Sequence, residues 1–369
     1  MDVLRLPSVP VSKILSHLEF KEVIQLAFLS ERATNMVLAA GSCSATPPIA
    51  RLCCENIRDS ITLFRANRTR FVCYLRENEE FETRTIGLSH QPVEPIWEWK
   101  DQVINGVKKR VCMQDYSLGI IGAGAEDFLF MFKFLKRIFG FRTYCLFLRF
   151  KNDADFQKLM VQSSLLHKGN RVDLDTTDLS PEHLAFIVDN CSFEEFVTHG
   201  SLPEDFQYGS KLSKYQELFL DHSSERGREV PGRMEEWMTM DQIWAIANSG
   251  TTRRMELYPL NYTSEDVNGF IKNWLASDNR TFEYLKLNRV KAKRESDPLN
   301  EQVVFNGIQS FLGLEKSKTA MKKYETRLHS ENGMDIRRQD GLWATVLFYK
   351  NNDKKEVHFV VWHDENPNA

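Results

Sequence analysis

Residues 6–41 read LPSVPVSKILSHLEFKEVIQLAFLSERATNMVLAAG, and their apolar residues recur at helical spacing. The stripe of the first helix, at i, i+3, i+4 and i+7, consists of Val11, Ile14, Leu15 and Leu18. The second helix is apolar on two sides, with Val23, Leu26 and Ala27 on one side and Ile24 and Phe28 on the other. The third stripe consists of Ala33, Met36, Val37 and Ala40. The stretch therefore predicts a three-helix unit over residues 1–40.

Such a unit is close to the lower size limit for a self-sufficient hydrophobic core, because three helices of this length bury little surface. It has no cysteine pair and no set of metal ligands to staple it. Withholding one large aliphatic side chain from water contributes roughly 1.5–3 kcal/mol, so surplus apolar side chains favour further packing. Two interpretations remain open: the helices dock on another protein, or they pack on the rest of this chain.

The segment resembles an F-box, in the form common among nematode proteins. The resemblance rests on Leu4-Arg5-Leu6-Pro7, on the first helical stripe and on the run from Val23 to Ala33. F-boxes bind the Skp-type adaptor protein of cullin-RING ubiquitin ligases through helix-borne apolar side chains and the Leu-Pro turn. The adaptor-binding residues that the resemblance implies are Leu6, Pro7, Ile14, Leu15, Val23, Leu26 and Ala27.

Residues 41–66 are predicted to be a linker or connecting helix, because Gly, Ser and Pro are dense at 41–48. From Arg68 to Lys109 short alternating runs predict β hairpins, one of them turning at Asn105-Gly106. Two β-branched and aromatic runs, 342–349 and 357–362, predict a C-terminal β hairpin. The middle of the chain therefore lies between two β regions.

That middle part is built of strands alternating with helices. The pattern of Met255, Leu257 and Leu260 recurs at Leu285, Leu287 and Val290. A helix is predicted between them, beginning with a capping box of Thr263 and Asp266. Each strand-helix unit is too small to bury its own apolar face and must stack on its neighbours. The predicted fold class is α+β, with an irregular leucine-rich-repeat-like α/β stack.

Residues 67–369 resemble the F-box-associated domain of type two, which follows F-boxes in nematode proteins. The stretches that carry the resemblance are 237–241, 268–275, 335–341 and 359–362. Together the two resemblances imply a substrate-recognition adaptor of a Skp–cullin–F-box ubiquitin ligase, whose C-terminal domain binds client proteins. The sequence does not identify the client-binding residues.

Composition and charge argue against several other classes of protein. The 369 residues include 48 basic and 51 acidic ones, so no overall positive field attracts nucleic acid or an anionic membrane. Seven cysteines without a Cys-x-x-Cys pair predict neither a disulfide framework nor a zinc site. No signal-peptide pattern opens the sequence. We therefore expect a cytoplasmic or nuclear protein without a metal or cofactor.

The segment from Phe128 to Phe150 is rich in phenylalanine but also carries basic residues. These charges exclude an 18-residue apolar membrane span. A basic, Phe-rich segment could instead lie on a membrane surface. A buried helix that runs into a buried strand is the interpretation that we favour.

One motif suggests catalysis. The run Asp173-Leu174-Asp175-Thr176-Thr177 resembles the start of phosphatases of the haloacid dehalogenase type, in which the first Asp is a nucleophile and the second an acid and base. However, the polar run 168–171 precedes it, and no Gly-Asp-x-x-x-Asp cluster follows. We expect no enzyme activity. A phosphatase using Asp173 and Asp175 is one alternative, and an F-box-bearing binding module that works without the ligase is the other.

An acidic stretch surrounds this motif. Residues 172–206 contain nine acidic residues and no lysine or arginine. Such a stretch can select a basic client through charge complementarity, or it can be a solvated helix face.

Overall fold

The computed structural model describes residues 13–15, 17–28, 31–39, 49–55, 60–64, 70–76, 100–104, 107–114, 117–121, 125–149, 153–176, 179–200, 209–221, 238–258, 262–289, 299–312, 333–351 and 354–363. The chain divides into two compact units, Met1–Val172 and Asp173–Ala369. The described residues form a mixed α+β protein, as the sequence predicts.

The first unit begins with the predicted helical segment. Residues 13–15 and 17 are helical and are followed by α1 (Phe20–Phe28) and α2 (Glu31–Ala39). The Glu22 carboxylate accepts a hydrogen bond of 2.8 Å from the Glu19 amide, which satisfies a donor at the start of α1. Apart from Phe20, the buried apolar side chains of this segment belong to the predicted stripes. They are Leu15, Val23, Ile24, Ala27, Ala33 and Val37.

The strands of the first unit are β1 (Ile49–Glu55), β2 (Ser60–Phe64), β3 (Arg70–Arg76), β4 (Lys100–Ile104), β5 (Val107–Gln114), β6 (Ser117–Ile121) and β7 (Arg142–Arg149). Their order in the sheet is β4-β5-β6-β3-β2-β1-β7. The pairs β1–β7 and β3–β6 are parallel, and the other neighbours are antiparallel. The predicted hairpin at Asn105-Gly106 is confirmed, because Ile104 of β4 pairs with Val107 of β5.

The structure corrects the expectation that residues 41–66 are a linker or connecting helix, because β1 and β2 lie within them. Ala50, Ile61 and Leu63 of these strands are buried. The register of β1 is fixed by its parallel pairing with β7, far along the chain. A partner so distant leaves no periodic signal in the local sequence, so the strand pattern was missed.

The phenylalanine-rich segment is a buried helix followed by a strand, which confirms the interpretation that we favoured. The helix α3 (Ala125–Phe139) has acidic residues in its first turn and basic residues in its last turn, as the helix dipole favours. It ends at Gly140, whose positive φ of 59° and amide bond to the Lys136 carbonyl close the last turn. The chain then enters β7.

After β7, the helix α4 (Asp153–Phe156) continues into a π-helical turn at Gln157–Val161. Within the described ranges, none of the helices has the length and apolar character needed to cross a membrane.

The second unit contains the end of β8 (Lys168–Asp175) and the strands β9 (Ser192–His199), β10 (Glu217–Asp221), β11 (Arg254–Tyr258), β12 (Tyr284–Arg289), β13 (Ser310–Leu312), β14 (Met334–Arg337), β15 (Trp343–Asn351) and β16 (Lys354–Trp362). The strands β9 to β12 pair in parallel, each with the next. β16 then pairs with β12 in antiparallel fashion, and β15, β14 and β13 follow outward. The predicted closing hairpin is thus confirmed as β15 and β16.

The helices of this unit are α5 (Pro181–Asn190), α6 (Gly209–Leu212), α7 (Met240–Ala247), α8 (Ser264–Ala276) and α9 (Glu301–Val304). The capping box of Thr263 and Asp266 is confirmed at the start of α8, and Thr239 forms a second one with Gln242 at α7. The predicted strand-helix-strand unit is therefore present as β11, α8 and β12. The leucine-rich-repeat-like stack stays a prediction.

The core of the second unit lies between α8 and one face of the sheet. The ring of Phe359 on β16 lies 5.4 Å from that of Phe270 and 5.2 Å from that of Trp274, both on α8. Leu285 pairs directly with Phe359 and Met255 with Leu285, so these buried residues share the face. The packed aromatic and aliphatic side chains fix which face of β11, β12 and β16 the helix covers.

Arg338 ties the connection between β14 and β15 to the segment that follows α8. Its buried guanidinium donates to both carboxylate oxygens of Asp340, at 2.9 and 2.7 Å, and to the Asn279 carbonyl at 2.8 Å. It also lies 5.2 Å from the centre of the Trp274 ring. The hydrogen bonds from Arg338 hold the pKa of Asp340 well below its usual range. The Arg338 guanidinium combines a positive charge, planar donors and stacking on Trp274. Lysine has only the charge, so it is a poor substitute at this position.

We predict that Arg338→Ala lowers the free energy of unfolding by about 2–4 kcal/mol, because it leaves the carbonyl and carboxylate acceptors without their donor. Denaturant unfolding of the full chain, followed through the second unit, measures the change. The control is Arg337→Ala, which removes an exposed neighbour stacked on Trp343 at 5.4 Å and should cost below about 1 kcal/mol. Equal losses in the two variants would contradict the role given to Arg338.

Candidate functional site

The residues predicted to bind the adaptor fall into three groups in the structure. Leu6 and Pro7 lie outside the described residues. Leu15, Val23 and Ala27 are buried, each 2% exposed or less. Ile14 is 41% exposed and Leu26 is half-buried.

Some side chains of the helical segment therefore pack on the same chain, and others keep surface that another protein can contact. The Phe20 ring meets Phe139 of α3 edge to face at 5.1 Å, so the segment packs on its own unit there. Ile14, Leu18 and Leu26 keep part of their surface in contact with solvent. Of the predicted adaptor-binding residues that the structure describes, Ile14 and Leu26 are thus the ones with surface available to a partner.

Asp173 and Asp175 are both buried at the end of β8. Oδ1 of Asp173 lies 2.8 Å from Nε2 of His199, at the end of β9. The Thr176 hydroxyl donates to the His199 carbonyl at 3.0 Å, which holds the two strand ends together. Among the described residues there is no group of three or more His, Cys, Asp or Glu side chains that could hold a metal ion. The structure brings Asp173 to a histidine, a contact that the sequence did not predict.

The acidic stretch does not form one exposed patch in the part of the chain that the structure describes. Asp173 and Asp175 are buried, whereas Glu182 and Asp189 lie exposed on α5. Asp189 forms an ion pair of 3.0 Å with Lys211. Three members, Asp178, Glu204 and Asp205, lie outside the described residues. Recognition of a basic client by this stretch stays a prediction.

A different set of side chains lies together on the sheet of the second unit, on the face away from α8. Successive strand residues point to opposite faces, so the neighbours of Met255, Leu285 and Phe359 lie on this second face. A closed ring of contacts joins β11, β12 and β16 there. In order around it, the members of this polar ring are Arg254, Glu256, Tyr258, Lys286, Glu356, His358 and Tyr284.

One half of the polar ring centres on Glu256. Its Oε1 accepts a hydrogen bond of 3.1 Å from Nε of Arg254, and its Oε2 accepts one of 3.3 Å from the Tyr258 hydroxyl. The Arg254 guanidinium is sandwiched between aromatic residues, 5.0 Å from the Phe219 ring centre and 5.2 Å from that of Tyr284. Burial raises the pKa of the Tyr258 hydroxyl, and the charge of Glu256 raises it further. Tyr258 therefore remains a hydrogen-bond donor.

The other half centres on Glu356. Nζ of Lys286 lies 3.4 Å from Oε2 of Glu356 and 4.9 Å from the Tyr258 ring centre. The same Oε2 lies 3.1 Å from Nε2 of His358. Nδ1 of His358 lies 2.8 Å from the Tyr284 hydroxyl oxygen, which closes the ring.

Burial and hydrogen bonding act in opposite directions on Glu356. Burial raises the pKa of this carboxyl, but the hydrogen bond from His358 and the charge of Lys286 outweigh it, so the pKa is lowered overall. The Asn288 amide donates to Oε1 of Glu356 at 3.1 Å. Two cations and two anions balance in the polar ring when His358 is neutral. The polar ring is therefore a charge-balanced and largely buried network, in which Arg254 keeps the most exposed side chain of the ion-paired members, at 30%.

The polar ring was missed in the sequence, although part of its signal was there. Alternate residues of 254–258 and of 284–288 are polar or aromatic, which marks one face of each strand. The strand prediction rests only on the apolar residues of these runs. The pairing of β12 with β16 could not be predicted, because β13, β14 and β15 lie between these two strands in the sequence.

The comparisons with known proteins agree with the two resemblances. A family model of the F-box domain matches residues 3–38, and a model described as F-box associated matches residues 223–287. The chain thus carries an F-box domain and an F-box-associated domain of type two. No curated protein and no solved structure matches the chain. The nematode form stays a prediction.

Together these two domains support the role of a substrate adaptor in a Skp–cullin–F-box ubiquitin ligase. The F-box-associated match ends at Leu287, so it covers β11, α8 and the first part of β12. All polar-ring members on β11 and β12 lie inside it. The polar ring is therefore our candidate functional site in the second unit.

We predict that Tyr284→Phe destabilises the chain by about 1–2 kcal/mol, because it leaves Nδ1 of His358 buried without its partner. The matched control is Tyr258→Phe, which removes a longer hydrogen bond from a half-buried hydroxyl and should cost less. Denaturant midpoints of the two variants and the wild type give the comparison. If Tyr284→Phe proved as stable as the wild type, the ring would not be closed at this point.

Proposed function

We propose that the chain is a non-catalytic substrate-recognition adaptor of a Skp–cullin–F-box ubiquitin ligase. The observation that carries the proposal is the combination of an F-box match at 3–38 with an F-box-associated match at 223–287. In this role the F-box binds the Skp-type adaptor protein, and the second unit holds a client for ubiquitination by other subunits. The protein works in the cytoplasm or nucleus, where cullin ligases meet their clients.

On the adaptor side, the proposed contacts are Ile14 and Leu26, because both keep exposed apolar surface in the F-box segment. A few side chains contribute most of the binding free energy of an interface. Truncating one of them weakens binding by more than about 1 kcal/mol. Leu15, Val23 and Ala27 are buried, so in the structure described here they support the helices instead of offering surface. Truncating one of these three side chains therefore changes the stability of the helices, and a loss of binding would follow from that change.

On the client side, the proposed surface consists of the half-buried members of the polar ring together with Phe219. Five of the seven ring members lie inside the F-box-associated match. Arg254 and Lys286 are each held by a carboxylate and an aromatic ring, so the face is ordered before a client arrives. Preorganised side chains lose less conformational freedom on binding, which favours affinity.

A client that contacts the polar ring can exchange partners with its charges. A carboxylate of the client can reach Arg254 or Lys286, and an aromatic side chain can stack beside Phe219. Charge complementarity of this kind mainly sets specificity and the association rate.

For the adaptor side, we predict that Ile14→Glu reduces recovery of the Skp-type protein in affinity purification at least fivefold, since a charge replaces an exposed anchor. The matched control is Val161→Glu, because Val161 is 43% exposed in the same unit but lies outside the F-box match. Both variants should unfold at the temperature of the wild type. Equal recovery of the Skp-type protein with both would refute the proposed contact.

For the client side, we predict that Arg254→Gln lowers the recovery of client proteins at least fivefold and leaves recovery of the Skp-type protein unchanged. The control is Arg280→Gln in the same unit, an exposed arginine paired with Asp340 and outside the polar ring. Quantitative mass spectrometry of purified complexes measures both classes of protein in one experiment. A protein that is recovered equally with Arg254→Gln and with the wild type does not bind to the polar ring.

A binding module that works without the ligase is distinguished by the fate of the clients. Under our proposal, clients that depend on Arg254 accumulate when the cullin is removed. Unchanged client levels would favour the ligase-independent module.

A further inference from the structure

His358 occupies a position in the polar ring where its protonation state matters. Its side chain is 1% exposed and contacts a hydroxyl through Nδ1 and a carboxylate through Nε2. An ionised carboxylate only accepts hydrogen bonds, so Nε2 carries the proton and donates to Glu356. In the neutral imidazole Nδ1 then accepts, and the Tyr284 hydroxyl donates to it. The two hydrogen bonds fix one tautomer.

A second proton would break this arrangement. Nδ1 would become a donor, so the Tyr284 hydroxyl would have to turn and accept. Protonation would also add a third cation to a ring that holds two carboxylates, on a side chain that is 1% exposed. Burying a charge is costly unless it is fully paired, so the ring closes best around neutral His358.

The charges around His358 come from each strand that packs beside it. Glu356 on the same strand and Glu256 on β11 favour the charged imidazole, whereas Lys286 on β12 opposes it. The Arg254 guanidinium lies 5.2 Å from the centre of the Tyr284 ring. On β15 the direct partner of His358 is Leu347, which is apolar and buried. Burial is the largest influence, and the pKa of His358 lies below its usual 6.5.

We infer that the polar ring is a proton-sensitive latch, which holds β12 against β16 while His358 is neutral and loosens when His358 takes up a proton. Its effect on clients rests on the proposed function, but the latch itself is a property of the fold. The direction follows from linkage. The unfolded chain binds the proton near pH 6.5, while the folded ring resists it until a lower pH. Stability is therefore complete above about pH 6.5 and falls as the pH decreases below that value.

The test is denaturant unfolding of the second unit in the full chain, between about pH 7.5 and about pH 5.5, where carboxylates stay ionised. His358→Gln retains a donor and an acceptor but cannot titrate. We expect the wild type to lose more stability than this variant over the interval. Over this interval the folding equilibrium constant changes through His358 by at most about tenfold, because about pH 5.5 lies about one unit below the unfolded pKa.

The matched control is His363→Gln, because His363 lies just beyond β16 and contacts the Phe282 carbonyl instead of a ring member. This control should show the full pH dependence of the wild type. Equal losses in wild type and His358→Gln would overturn the inference.

Two further measurements keep the inference falsifiable if His358→Gln does not fold. Nuclear magnetic resonance of ¹⁵N-labelled histidine in the wild type should show the His358 ring titrating below pH 6.5. A midpoint at or above 6.5 overturns the latch. Hydrogen exchange, corrected for the intrinsic effect of pH, should accelerate in β12 and β16 on acidification and not in β1 and β2. Uniform acceleration would also count against it.

Client recovery at the two pH values separates the latch from the proposed function. If the latch titrates as expected and the Arg254-dependent clients dissociate at the lower pH, both ideas stand. If exchange and stability change but client recovery does not, the latch stands and the polar ring is not the client surface. If none of the three changes, the latch is wrong, and the Arg254→Gln experiment alone decides the client site.

Discussion

The antiparallel pairing of β12 with β16 is the contact on which the second unit depends. On one face it places Phe359 beneath Phe270 and Trp274 of α8, which closes the hydrophobic core. On the other face the same pairing brings Tyr284 to His358, which closes the polar ring. The parallel strands β9 to β12 would otherwise end at an unpaired edge, and an unpaired edge invites association with other chains. One strand pair thus serves the core, the candidate site and the sheet edge.

Local patterns in the sequence predict local structure well here. The capping box of Thr263 and Asp266, the antiparallel pairing of β4 with β5 and the closing hairpin depend on neighbouring residues, and all three are confirmed. What the sequence could not provide was long-range pairing. The strands β1 and β2 were mistaken for linker or helix because β1 acquires its register from β7. The polar ring was missed because its two halves lie on strands that are distant in the sequence.

The F-box segment shows a similar division. The helical stripes identify which side chains are apolar, and the structure buries most of those that it describes, including Leu15 and Val23. A stripe alone cannot tell whether its cover comes from the same chain or from a partner, since both remove the same area from water. The edge-to-face contact of Phe20 with Phe139 needs a helix about one hundred residues further along, which no periodicity could reveal. Among the members of the first stripe that the structure describes, Ile14 is the one whose side chain the unit leaves exposed.

The position of β16 in the sequence has a consequence for biosynthesis. Chain elongation reaches this strand after every other strand of the second unit, so the emerging sheet carries Arg254, Glu256 and Lys286 before Glu356 and His358 exist. The F-box helices, by contrast, end at Ala39 and are synthesised before the strands of the second unit. A nascent chain on the ribosome therefore contains the F-box segment long before it has a complete polar ring. Truncation or stalling within β15 would release a polypeptide with its F-box segment but without a closed polar ring.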